Sequence, residues 1–170
     1  MSLTAEIVGT IAVAVLTGSL LCAAASDLQR YLIPNRYPAA ILLAFLAQAP
    51  LTPYFQSLGG LAVGAAVLAA GALLFARGLL GGGDVKLLAA VAFWAGPSMI
   101  ATFLFVTSLT GAVLALTLLS PARRLFPAHP NALAVPGDFR GRLRQPMPFA
   151  VAIAAGGLFV AAARVPYLMP

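Results

Sequence analysis

An all-α polytopic membrane protein of about six transmembrane helices, with both termini on the non-cytosolic side, is the fold this sequence predicts. Three observations lead there. Of the 170 residues, 62% are hydrophobic and 8% charged, against about 25% charged in ordinary soluble domains, so a water-facing surface cannot be covered. The apolar stretches reach the roughly 20 residues that span a bilayer as helix. The basic residues fall between those stretches, and mostly between alternate ones.

The first span covers residues 3–25. Its core, followed by Ala23-Ala24-Ala25, has the look of a signal peptide, but a signal peptide needs a basic start and no Lys or Arg precedes Arg30. A retained helix, entered from the non-cytosolic side, is expected. The polar connection "SDLQRYLIPNRYP" follows, and Pro34 biases Ile33 toward extended backbone, which ends the first helix soon after Asp27. A short second span covers 37–51, "TPYFQS" turns the chain, and the third span covers 58–76. After the glycine stretch, 85–95 forms the fourth. "GPS" interrupts it, and Pro97 opens a new helix where its missing N–H needs no partner. The fifth span covers 99–119, and a long basic connection leads to the sixth, 146–163. The whole reads as one membrane-embedded domain, 1–170, with connections at about 26–37, 77–84 and 120–145 on one side and no internal repeat.

That side holds Arg30, Arg36, Arg77, Lys86, Arg123, Arg124, Arg140, Arg142 and Arg144, leaving only Arg164 opposite. Positive residues stay inside, so these connections face the cytosol of a multi-pass protein in the cytoplasmic (inner) membrane. The net charge of +6 is thereby explained by topology, with anionic lipid as the partner and no nucleic acid. Tyr31 and Tyr37 fall at the cytosolic interface and Tyr54, Trp94 and Tyr167 at the other, where aromatic belts form. Residues 84–96 make about 20 Å of helix, short of a roughly 30 Å hydrocarbon core. Either the bilayer is thin there or Asp84 begins its helix below the surface, in a cavity.

Four acidic residues are present: Glu6, Asp27, Asp84 and Asp138. Asp27 ends span one and Asp84 begins span four, both on the cytosolic side, so topology alone brings them to one level. Acids near the bilayer core cost about 2.5–3.5 kcal/mol and usually mark a site. Two close carboxylates hold one proton between them; one partner takes a proton from water and the other donates to a carbonyl. That chemistry needs no metal and no cofactor. Glycines at 81–83 permit close backbone approach and positive φ. Local readings exist beside these: Asp27 paired with Arg30, Asp84 as an N-cap, and Lys86 as an interface lysine. Asp138 reads as a loop ion pair, His129 as a loop residue and Glu6 as an interface residue. Lone Cys22 makes no disulfide or metal site and reads as a small buried hydrophobe.

"SDLQRYLIPN" followed by "GGGDVKLL" resembles the paired aspartate motifs of the type IV prepilin peptidases. The first aspartate precedes Ile33-Pro34-Asn35; the second closes Gly81-Gly82-Gly83-Asp84, with Lys86 two positions on. "MPFAVAIAAGGL" is similar to the family's final span. The resemblance implies a Gly-x-Gly-Asp membrane aspartic endopeptidase, related in motif to the presenilin-like proteases, that cuts the basic leader from prepilins at the cytosolic face, after a glycine. Asp27 and Asp84 carry over as the catalytic pair. Gly81, Gly83, Lys86, Pro34 and Asn35 carry over as motif or substrate-positioning residues. Longer members have a cysteine-bearing insert between the first two spans and also N-methylate the pilin. Only residues 26–37 stand there in this chain, without cysteine, so methyltransferase activity is not carried over. This compact form is similar to the peptidases of tight-adherence (Flp) pilus systems, with archaeal preflagellin peptidases as further relatives.

Two other classes use the same residues. An ion- or proton-coupled transporter would employ both aspartates as a relay, although such proteins often show an internal repeat. A non-catalytic component of pilus or secretion assembly would tolerate Asp→Asn at both positions. A prepilin gene nearby favours the peptidase or the assembly component.

Overall fold

The computed structural model describes residues 3–51, 54–120 and 147–164, with no strand among them. The elements are α1 (Leu3–Arg30), α2 (Arg36–Gln48) continued by a 3-10 turn (Ala49–Leu51), α3 (Tyr54–Ala76), α4 (Gly82–Leu119) and α5 (Ala150–Arg164). Among the described residues α1, α3 and α4 are long and apolar enough to cross a membrane, while α5 is apolar but shorter.

Helix ends follow local chemistry. α1 runs past the expected end at residue 25 and stops at Tyr31, whose φ of 51° is left-handed. The Tyr31 N–H still reaches the Asp27 carbonyl, and Ser26 Oγ donates to the Leu32 carbonyl at 2.9 Å. The stop thus precedes Pro34, and Asp27 sits inside the last turn. α3 begins at Tyr54, earlier than the expected residue 58. It ends on Gly78 at φ 71°, with N–H bonds from Gly78 to the Phe75 carbonyl and from Leu79 to the Leu74 carbonyl. That is a Schellman motif, in which the glycine adopts φ > 0 without steric cost.

α4 is broken at Gly96, φ 59° and ψ −173°, directly before Pro97. Two arms result, residues 82–95 and 97–119, and their contacts with α5 give opposite directions. In the first arm Val91 lies by Gly157, and the Trp94 carbonyl meets Arg164. In the second, Phe103 and Thr107 lie by Gly156, while Gly111 lies by Phe149 and Ala152. The first arm therefore runs with α5 and the second against it, so the chain reverses at Gly96. The reversal frees the last carbonyls of the first arm, and Arg164 donates to that of Trp94 at 2.6 Å.

Close packing without an interhelical hydrophobic drive needs small residues. α3 supplies them to the first arm: a Cβ on Gly64 would overlap the Phe93 ring, and one on Gly71 would come within 2.8 Å of Val85. Trp94, expected at an interface, is instead 1% exposed. Its indole N–H donates to the Ile41 carbonyl at 3.0 Å and its ring meets Phe45 edge-on, so α2 satisfies its polar atom and lets the ring enter the core. Cys22, expected buried, lies exposed on α1.

Candidate active site

Asp27 is 5% exposed in the last turn of α1. Its Oδ2 accepts a hydrogen bond from the Ala150 backbone N–H at 2.9 Å. Ala150 is the first residue of α5, so its N–H is one of the four that a helix leaves without an internal partner, and a carboxylate there is favoured by the helix dipole. Pro148 is fully buried just before it, and Phe149 N–H turns back to the Met147 carbonyl at 2.8 Å. This backbone donor escapes sequence reasoning because no side chain announces it; the "MPF" preceding an apolar run is the one available signal.

Asp84 is half-buried in the first turn of α4. The N-cap of that helix is Gly81, which corrects the local reading of Asp84 as cap. Asp84 stands three residues further in, and its carboxylate accepts the Gly81 backbone N–H, the backward half of a capping box. Gly81 has φ −73°, and Gly81, Gly82 and Gly83 are all absent from the positive-φ positions. These glycines serve space rather than conformation: a Cβ on Gly81 would come within 2.6 Å of Asp84 Oδ2, and one on Gly83 within 3.1 Å of Ile33 Cβ. The two carboxylates are close enough for the charge of Asp27 to act on Asp84.

The remaining motif residues gather at the same end. Lys86 is exposed, and its Nζ donates to Asn35 Oδ1 at 2.9 Å. Pro34 is half-buried between Ile33 and Asn35. Arg36 lies over the Tyr37 ring, 4.9 Å from its centroid, and donates to its hydroxyl. Glu6 is half-buried near the opposite end of α1. Asp138, His129, Tyr167 and the arginines from 123 to 144 lie outside the described residues. Among the described residues no group of three or more His, Cys, Asp or Glu could hold a metal ion.

The family model described as the type IV leader peptidase family matches residues 14–116, a stretch that contains Asp27, Asp84 and the connection between them. This chain belongs to that family. A relative from Bacillus subtilis (strain 168), the prepilin leader peptidase/N-methyltransferase, is 38% identical over 145 residues, which cover 82% of this chain and 50% of the relative. The chain thus spans about half the length of the curated relative it matches. No solved structure matches.

Proposed function

We propose that this chain is a membrane aspartic endopeptidase that removes the leader peptide of type IV or Flp-type prepilins at the cytosolic face. The observation that carries the reading is the pair Asp27 and Asp84: at one end of the helix bundle, within electrostatic reach, each held by a backbone N–H from a helix start.

Two adjacent carboxylates share one proton, because a second negative charge at that distance is costly. The ionised partner takes a proton from water as the oxygen attacks the scissile carbonyl carbon. The protonated partner gives its proton to the carbonyl oxygen, forming a neutral tetrahedral diol. In the collapse a diol proton returns to one carboxylate, the amide nitrogen receives a proton from the other, and the C–N bond breaks. One proton remains on the pair, as at the start. The pair titrates as a unit, so either member serves as base.

The topology we propose has six spans: α1, α2, α3, the two arms of α4, and α5. The opposite directions of the two arms and the positive-inside bias support it, with both termini non-cytosolic and the aspartates toward the cytosol. Methyl transfer is left out of the proposal, since the connection between α1 and α2 contains no cysteine. The test is reconstitution of the chain in liposomes with a membrane-inserted prepilin, following leader release by gel shift and N-terminal sequencing. A single new N-terminus at the leader junction is expected; an intact prepilin across several candidates would redirect the aspartates to transport.

A further inference from the structure

Asparagine is among the best helix N-caps, because its side-chain oxygen accepts a free N–H of the first turn. Asn35 occupies the N-cap of α2 and makes no such bond; its backbone is helical, φ −58° and ψ −21°, rather than extended as capping requires. Its Oδ1 is committed elsewhere, accepting from Lys86 Nζ at 2.9 Å across 51 positions of sequence. A lysine ammonium only donates, so the amide oxygen is the atom that meets it. Beside this bond Ile33 presses on Gly83, leaving no room for a Cβ without displacement. Both contacts join the same two segments: the connection that leaves the helix of Asp27, and the first turn of the helix of Asp84.

We infer that Asn35 and Lys86 form a clasp that sets the rotation of α4 and thereby positions Asp84 against Asp27. The inference rests on the dyad reading above. Lys86 follows Asp84 by two residues, which turns its side chain about 200° around the helix axis. The amine and the carboxylate therefore leave α4 on nearly opposite sides. Holding the amine to the α1–α2 connection fixes the helix about its axis, and with it the direction of the carboxylate. Asn35 gives up a local cap to make this long-range bond. Both are positioning residues, and neither carries a proton in the reaction.

A double-mutant cycle on leader cleavage tests this. Lys86→Met and Asn35→Ala each lower kcat on the order of 10-fold, with KM nearly unchanged, and the double variant is no worse than the poorer single one. Asn35→Asp, which keeps an acceptor for the ammonium, retains most of the rate. Additive losses, or losses confined to KM, overturn the clasp and make the two side chains separate substrate contacts. A second readout is independent of activity. Asn35→Cys with Lys86→Cys, in a Cys22→Ala background, is treated in membranes with a short thiol cross-linker. High-yield joining is expected, and its absence overturns the contact itself. Joining, when the wild-type chain itself cleaves no prepilin, keeps the contact but removes the positioning role together with the dyad.

Discussion

Asp27 is held by a donor that belongs to no side chain. The Ala150 N–H reaches its Oδ2 from the far end of the sequence, and the donor can be removed without deleting any side-chain group. Ala150 is the first residue of α5, the position where proline is best tolerated. Ala150→Pro therefore deletes the donor, and sets a ring carbon against the carboxylate, while leaving the helix intact. Leader cleavage is expected to fall on the order of 10-fold or more, with helical circular dichroism unchanged; full cleavage with the helix intact would mean that Asp27 needs no anchor. At this scale the sequence was half legible. Asp27 and Asp84 stand out because acids are so scarce in this chain. The Asn35–Lys86 bond does not, because no helical or strand periodicity relates residues 51 apart. Cys22 misled because apolar character predicts burial in a soluble protein, whereas the outer face of a membrane helix is itself apolar.

At the scale of elements, the hairpin in α4 brings the second arm back along α5. "GPS" marked the break in the sequence, but its sharpness comes from the backbone of Gly96, φ 59° and ψ −173°, a region close to glycine-only. A Cβ there would meet nothing closer than the Gly60 Cα at 3.9 Å, so the cost of substitution is conformational rather than steric. Gly96→Ala is expected to destabilise the protein by about 1–3 kcal/mol, read as a lower midpoint in detergent denaturation. An unchanged midpoint would mean that the reversal at this residue is not required by the fold. Trp94 shows why aromatic belts are an incomplete guide: it stands at the right end of the arm for an interface residue, yet α2 offers the Ile41 carbonyl to its indole N–H and draws it inside.

For the whole molecule, the question is which side of the membrane each end of the bundle faces. Asp27, Asn35, Asp84, Lys86 and Ala150 share one end, joined by the bonds from Ala150 to Asp27 and from Lys86 to Asn35. Trp94 and Arg164 meet further along α4 and α5. The distribution of arginines points to the end proposed as cytosolic before any helix is located, because that signal depends on counting charges in connections rather than on packing. Exposed Leu51 and Leu79 provide the check, each replaced by cysteine in a Cys22→Ala background. A membrane-impermeant maleimide should label Leu79→Cys only from the cytosolic side and Leu51→Cys only from the other. Labelling of both from one side would contradict six spans.

The most direct test of the central claim is cleavage of a co-expressed prepilin by Asp27→Asn and Asp84→Asn, beside wild type and Glu6→Gln as a control from the opposite end of α1. Asparagine preserves size and removes the ionisable oxygen. The dyad account predicts a loss of about 100-fold or more in both motif variants, with the leader junction still cut by wild type and by the control, and all four proteins inserted equally. Cleavage that survives either substitution would contradict it.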